Sequence, residues 1–486
     1  MKSRQDFMSR MPWRLGRATD DHSDCSYSGG VFQERLLMNP TLAAISCALL
    51  ALSTGCSLSP STPPLQTATT CAEDHAEHWR PLLPAECQGR RVCVDDRHRF
   101  WLDGVPFVPR GVYNAGFEYT RVLSNCPIGQ PCEATTPADV DAFVSVLADA
   151  GFNLVMERSR AVPLLLEALH KNTQVHIAHL VDTDPFTQES HDAVTADVEA
   201  AAADPDVLMW FGPDEIDVNG TWSTAGGIRR ILHGSNPTID ADLAGILAPS
   251  TPDPWIPDVE AAHDPEGRPF GAALYSDDFL GQAELFYDLV MPVTYPLRTQ
   301  SSRLDTSPEG TRRVRTYGGD APTLPVLQLT AIPPLWQVMP TPVQAEGMVM
   351  SALVEGANGA FFFNVTGDGP RLLGREGWYA PDATDTWAAF ASINSTWDGL
   401  VPALFADALE DHGETPVPWR SFSIGQRRVV IAVNPISAPI DVDIAALVGL
   451  QPTQVVRRWE NCDPFDQGIA RMEPYAWVAL EVVQKR

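Results

Sequence analysis

Three carboxylates crowd one short stretch of the chain, Val207-Leu-Met-Trp-Phe-Gly-Pro-Asp-Glu-Ile-Asp217. Val207 to Phe211 is a short apolar run, of the kind that fills a strand buried on both faces. Gly212-Pro213 then stops both strand and helix. Asp214, Glu215 and Asp217 follow at once. Carboxyl groups in that position can hold or donate a proton. Barrel enzymes keep such groups at the C-terminal mouths of their parallel strands. Taken alone, the tripeptide Pro-Asp-Glu reads equally as a solvated acidic turn after a core strand. What separates the two readings is the set of elements on either side.

Those elements alternate. Arg99 to Asn114 reads as a hairpin turning at Asp103-Gly104, then a buried strand. Thr136-Pro-Ala-Asp starts a helix that runs to Ala150, with Thr as its N-cap and Pro in the first turn. Strands follow at Phe152–Met156, Gln174–Leu180 and Val207–Phe211, with helices at Val162–Lys171 and His191–Ala203 between them. A helix at Ala225–Leu232 and a Pro/Asp-rich excursion to Pro257 interrupt the rhythm. It returns with strands at Pro269–Tyr275, Asp288–Val293, Pro325–Thr330 and Gly359–Asn364, and helices at Gln282–Phe286, Pro342–Glu355 and Thr384–Trp397. Eight continuous apolar strands alternating with helices predict an α/β fold, a parallel (β/α)8 TIM barrel. A doubly wound sheet usually opens with a Gly-rich phosphate loop, and Arg110-Gly-Val-Tyr-Asn has none. From Val401 the chain changes to short strands between Pro, Asn and Gly turns, which predicts a small C-terminal antiparallel β-sandwich.

The bulk properties narrow the partners. With 62 acidic against 34 basic residues the formal net charge is −28, which argues against nucleic acid as a partner. Thr41 to Leu52 is an apolar run too short to span a bilayer as a mature helix, and it reads as an export signal. Ser53-Thr-Gly-Cys56 resembles a bacterial lipoprotein box, which makes Cys56 the lipidated residue and the membrane a partner through that anchor. The run begins far into the chain. Initiation at Met8 or Met11 keeps a basic segment ahead of it, whereas Met38 leaves none. The Ser, Thr and Pro residues after Cys56 mark a solvated tether. The expected organisation is a signal and lipoprotein segment at 1–56, a tether with a cysteine-containing lead-in at 57–90, the barrel at 91–400 and the β-sandwich at 401–486. Of nine cysteines, six lie beyond the signal and anchor, an even number that suggests disulfides in an exported protein. Cys126 and Cys132, closing a small Pro/Gly loop, are the expected pair.

The order of motifs resembles glycoside hydrolases of clan A, from about Phe100 onward. Asp103-Gly-Val-Pro-Phe-Val-Pro-Arg-Gly-Val looks like their opening strand, and Leu147-Ala-Asp-Ala-Gly-Phe-Asn-Leu-Val like the approach to strand two. Trp210-Phe-Gly-Pro-Asp-Glu is similar to the strand-four acid/base motif. Asp288-Leu-Val-Met-Pro-Val-Thr-Tyr-Pro and Glu355-Gly-Ala-Asn-Gly-Ala-Phe-Phe-Phe resemble strands six and eight. Asn434-Pro and Pro474-Tyr-Ala-Trp-Val resemble the β-domains that often follow such barrels. The resemblance implies a carbohydrate substrate, cleavage of a glycosidic bond without cofactor or metal, and Glu215 as general acid/base. Such an acid needs a raised proton affinity, and Asp214 or Asp217 supplies it by like-charge proximity.

One departure is plain. The family's second carboxylate ends strand seven, where this chain reads Leu327-Gln-Leu-Thr, an amide in place of an acid. The replacement candidates are Asp277, Asp278 and Glu157, with Asp182 and Asp184 as further options. The alternative is a non-catalytic carbohydrate-binding or structural lipoprotein with a degenerate barrel. Aromatic residues near strand ends offer stacking faces for sugar rings, among them Trp210, Trp222, Trp255, Tyr295, Trp378 and, between prolines, Trp336. His179, Arg110, Asn114 and Asn364, each expected at a strand end, are candidate ligands for sugar hydroxyls or mouth carboxylates. His176, three residues before His179, is expected on the opposite face of the strand, so no shared metal is predicted. No HExxH, P-loop or GxSxG pattern occurs, which removes support for metalloprotease, kinase and serine esterase chemistry.

Overall fold

The computed structural model describes residues 81–113, 137–157, 163–181, 185, 187–213, 222–237, 240–241, 261–274, 287–294, 321–328, 340–363, 384–406, 408–413, 417–424, 427–460 and 462–484. The export signal, Cys56, the tether, the expected helix at 282–286 and the expected Cys126–Cys132 pair lie outside them.

An antiparallel sheet comes first. Strand β1 (Val92–Val94) pairs with β2 (Phe100–Leu102), which pairs with β3 (Val105–Phe107). Asp103 and Gly104 make the turn between β2 and β3 at φ 50° and 77°, the left-handed geometry of a two-residue hairpin. A Cys87–Cys93 disulfide, not anticipated from the spacing, staples the start of this sheet, and Cys462 is disulfide-bonded as well.

Eight parallel strands then close into a barrel: β4 (Arg110–Tyr113), β5 (Leu154–Glu157), β6 (His176–Leu180), β7 (Val207–Phe211), β8 (Phe270–Leu274), β9 (Leu289–Thr294), β10 (Val326–Gln328) and β11 (Ala360–Phe363). The ring closes where β11 pairs with β4, Ala360 opposite Arg110 and Phe362 opposite Val112. Around it lie α1 (Pro137–Asp149), α2 (Pro163–Lys171), α3 (Gln188–Ala202), α4 (Trp222–His233), α5 (Pro342–Val354) and α6 (Thr384–Leu404). Helix α3 starts three residues before the sequence suggests, because Thr187 caps it reciprocally with Ser190. Helix α6 continues to Leu404, past the expected stop at Trp397.

Alternate strand residues divide between two cores. Val112, Val155, Ile177, Trp210, Phe270, Val290 and Phe362 face the helices. Tyr113, Met156, Ala178, Leu180, Phe211, Ala273, Met291 and Phe361 fill the barrel, each apolar side chain worth about 1.5–3 kcal/mol when large and fully buried. Val92 and Phe100 join this second core with Phe107 packed against it, so the opening sheet plugs the barrel at the strands' N-terminal end.

Three carboxylates tie the layers together, Asp95 and Asp264 buried and Asp288 partly exposed. Asp95 accepts hydrogen bonds from Arg99 Nε at 2.7 Å and Trp101 Nε1 at 2.9 Å, while Arg99 also reaches the Phe405 carbonyl beyond α6. Asp264 accepts from Trp210 Nε1 at 2.9 Å and from Arg268 through both its backbone and its guanidinium. Asp288 joins Arg229 and His233 of α4 to the amide of Phe270 on β8. Burial opposes ionisation of Asp288, but the His233 and Arg229 partners overcome it and hold the carboxyl well below its ordinary value.

The C-terminal part is an antiparallel β-sandwich. Its five-stranded sheet runs β12 (Ala408–Gly413), β13 (Trp419–Ile424), β14 (Arg427–Val433), β18 (Trp477–Gln484), β16 (Gln454–Arg458). A two-stranded sheet, β15 (Ile440–Asp443) with β17 (Ile469–Met472), and the short helix α7 (Ile444–Leu447) pack on it over Val430, Ala432, Val456 and Leu480. Glu481, fully buried, pairs with Arg427 and Arg457 across three strands. Arg420 donates to the Leu353 carbonyl of α5, and Trp459 to the Gly399 carbonyl of α6, which fixes the sandwich to the barrel.

Two outcomes follow from this packing. A Cβ on Gly359 would meet the Pro109 carbonyl oxygen at the barrel seam, so Gly359→Ala should destabilise by about 1–3 kcal/mol, read as a lower urea midpoint. The depressed Asp288 carboxyl stabilises the fold fully above the unfolded value of about 3.9, and this contribution is lost as pH falls below it. Asp288→Asn should therefore cost about 1–2 kcal/mol at pH 7, a discounted figure since part of the group meets water, and make unfolding less acid-dependent.

Candidate functional site

The strands' C-terminal ends form one rim: Tyr113, Glu157, Leu180, Phe211, Leu274, Thr294, Gln328 and Phe363. Beneath it the filling is aromatic. Tyr113 and Phe363 meet edge to face at 5.8 Å, and Phe211 meets Phe361 at 5.2 Å. Gln328 ends the seventh barrel strand opposite Phe363 and is fully buried. Val326 faces the interior and Leu327 the helices, so Gln328 is the polar residue of strand seven turned inward.

Strand β7 is the fourth of the barrel, and its exit is held from both sides. Val181 donates to the Phe211 carbonyl at 2.8 Å, and Gly212 donates to the Gly271 carbonyl of β8 at 2.7 Å. A register shift between β6 and β7, with Ile177 opposite Val207 and Ala178 opposite Met209, leaves Leu208 as the extra residue. This bulge places Leu208, Met209 and Phe211 in the barrel interior and turns Trp210 out. Pro213, buried, ends the described stretch one residue before Asp214.

The sequence-derived candidates sort into three groups. Asp214, Glu215, Asp277, Asp278, Asn114, Tyr295, Trp336 and Asn364 lie outside the described residues, as do Asp217, Asp182, Asp184, Trp255 and Trp378. Glu157 ends β5, so its backbone stands on the rim beside His179 of the neighbouring strand.

Three expectations need correcting. Arg110 begins its strand and does not end it, because the strand starts only after the Pro109 that follows the opening sheet. Its guanidinium bonds the Asn394 carbonyl at 2.8 Å and Asp398 of α6 at 2.6 Å, at the barrel end away from the rim. His179 faces the helices: its Nε2 lies 2.9 Å from Asp197 of α3, and its ring meets Trp210 edge to face at 5.5 Å. Trp210 is likewise sealed between strand and helices on Asp264, and offers no stacking face. His176 sits at the strand start, 3.5 Å from Asp206 and edge to face with Phe107, while His179 turns to the helices.

Gln328 apart, sequence reasoning missed the aromatic filling under the rim. Its signal was the inward alternation of Tyr113, Phe211 and Phe361, legible once the strand phases are known.

No protein-family model matches the chain, and no curated protein is similar to it. Among solved structures it is similar to a glycoside hydrolase at 11% identity and a TM-score of 0.49, over 83% of this chain and 99% of that one. A family 5 glycoside hydrolase from Bacteroides vulgatus gives 12% identity and a TM-score of 0.48, over 83% and 95%. An alpha-amylase from Geobacillus thermoleovorans, complexed with acarbose, gives 10% and 0.46, over 78% and 99%. Likeness at this level does not fix an activity. The closed eight-stranded parallel barrel with its C-terminal β-sandwich is shown by the strand pairing itself, as the sequence led us to expect.

His179 and Asp197 hold α3 to the barrel, so His179→Leu should lower stability by about 1–2 kcal/mol in thermal unfolding.

Proposed function

We propose that the protein is an enzyme of the glycoside hydrolase type, which cleaves a glycosidic bond at the C-terminal rim of the barrel. The observation that carries this reading is the exit of β7. The fourth strand of a closed barrel is pinned by hydrogen bonds to Val181 and Gly271, and the chain continues through Gly212-Pro213 directly into Asp214-Glu215. Glycosidic cleavage needs a carboxylic acid to protonate the departing oxygen, and Glu215 takes that role. Asp214 or Asp217 raises its proton affinity by like charge. The second carboxylate comes from Asp277 or Asp278, three and four residues after β8 ends at Leu274, or from Glu157 at the end of β5. A pair about 5–5.5 Å apart would retain anomeric configuration, and one about 6.5–9.5 Å apart would invert it through water. Tyr295 and Trp336, each following a rim-forming strand, stack on sugar rings, and Asn114 and Asn364 bind hydroxyls. The chain is exported and held at the cell envelope through a lipid on Cys56.

A second reading is favoured by Gln328. Strand seven ends in a buried, uncharged amide where the resembling enzymes carry an acid. A barrel that keeps its carbohydrate site without a nucleophile binds and does not cleave.

Release of reducing ends from a panel of oligo- and polysaccharides separates the two. Glu215→Gln should reduce turnover roughly 10²–10⁴-fold while leaving the thermal midpoint unchanged. Unaltered turnover in that variant would remove Glu215 from the mechanism. Glycan retention by the wild type with no bond cleaved would establish the binding reading.

A further inference from the structure

At the opposite end of the barrel, where the strands begin, two imidazoles and two carboxylates converge. His170 stands in the last turn of α2, and Asp204 and Asp206 lie in the turn between α3 and β7. His170 Nε2 is 2.7 Å from Asp204 Oδ2 and 3.9 Å from Asp206 Oδ2. One donor atom from each of the three residues falls within 4.8 Å of the others. From this convergence we propose a zinc-type transition-metal site, with His170 Nε2, Asp204 and Asp206 as protein ligands and water completing the shell.

The geometry fits. Zinc holds nitrogen and oxygen at about 2.0–2.2 Å in a tetrahedron, which sets neighbouring donors roughly 3.3–3.6 Å apart. The observed separations bracket that range, so small side-chain rotations suffice. The carboxylates are already held on a firm turn. Asp206 N donates to Asp204 Oδ1 at 2.8 Å, Asp204 N to the Ala201 carbonyl at 3.0 Å, and Ile177 N on β6 to the Asp206 carbonyl at 2.8 Å. A histidine among the donors selects zinc and its first-row neighbours over magnesium and calcium, which prefer all-oxygen shells.

Charge points the same way. Two carboxylates face one half-exposed imidazole, and the adjacent Lys171 is directed elsewhere, to Asp141 and Glu167. Arg91 is the opposing charge felt by His176, and it sits 3.8 Å from Asp103.

A separate observation comes from His176. Its Nδ1 is shielded from solvent and makes no hydrogen bond, yet it aims at Asp206 Oδ1 from 3.5 Å. A metal on Asp206 Oδ2 leaves Oδ1 facing His176, an outer partner of the kind that orients a ligating carboxylate.

Such an ion ties the helix after strand two to the start of strand four, the strand whose far end leads to Glu215. It stands at the other end of the barrel from the rim, so the inference does not rest on the proposed hydrolysis.

The full chain, stripped with chelator, is dialysed against zinc and its metal content measured beside thermal unfolding. One zinc per chain should bind, with the midpoint rising on the order of 5 °C at zinc a hundredfold above Kd. The double variant His170→Ala, Asp204→Asn should lose that zinc and that rise while keeping the wild-type far-UV spectrum in chelator. His176→Asn should weaken binding roughly 10–100-fold without abolishing it. Three results would overturn the proposal: no zinc taken up by the stripped wild type, the double variant binding and shifting like the wild type, or magnesium shifting the midpoint as far as zinc does. If the double variant fails to fold, Asp206→Asn alone must show the same loss of zinc.

Discussion

A ring of parallel strands has no free edge only if the first strand meets the eighth, and here that seam leaves no room for side chains. Gly111 on β4 lies under the ring of Phe361, and Gly359 ahead of β11 lies against Pro109. The absence of a Cβ at both positions lets the two backbones approach to pairing distance. Once β11 pairs with β4, every strand has two neighbours and one register, and the eight C-terminal ends are brought to one rim. The aromatic filling, the plug at the other end and the proposed chemistry at the rim all depend on this closure.

Charge is distributed unequally along the barrel axis. Asp288 stands just ahead of β9, and Asp264 and Arg268 just ahead of β8, with Asp204 and Asp206 just ahead of β7. These groups satisfy one another and the backbone where strands begin. Asp288 is held ionised by Arg229 and His233 in spite of burial, the behaviour of a structural carboxylate and the opposite of a proton donor. Part of the acidic excess is thus spent on fastening helices to strand starts, and an acid poised to donate must be sought at the strands' other ends.

The eight strands were legible because each is a continuous apolar run between Gly, Pro or capping signals, the pattern that burial on both faces requires. Val207–Phe211 agrees to the residue. What did not show in the sequence was which face a residue takes. Periodicity predicts opposite faces for His176 and His179, but not which one meets helices, and the bulge at Leu208 shifts the phase of β7 midway. Hence His179 and Trp210, polar-tipped residues near strand ends, turn outward and bind Asp197 and Asp264. Arg110 failed for another reason: the strand after Pro109 is only four residues long, so a residue assigned to its end proves to be its start. Among the sandwich strands, Ala408–Gly413 was missed because Glu410, Asp411 and His412 interrupt any apolar run, and Ile469–Met472 because it is only four residues long.

The outward turn of His179 and Trp210 has a further consequence for the rim. Residues that bond helices are removed from the substrate side, and the inward residues beneath the rim are Tyr113, Met156, Leu180, Phe211, Met291 and Gln328, apolar or uncharged. Such a floor excludes water and strengthens any electrostatic interaction above it. It also supplies no anion of its own, since a lone carboxylate among those aromatics would be pushed towards its neutral form. Carboxylates at the rim come from Glu157, the last residue of β5, and from segments beyond the strand ends, of which Asp214 and Glu215 follow the pinned exit of β7 directly. Asp214 and Glu215 are adjacent in sequence, and like charge close by favours a held proton, the property that the proposed donor to a departing oxygen needs.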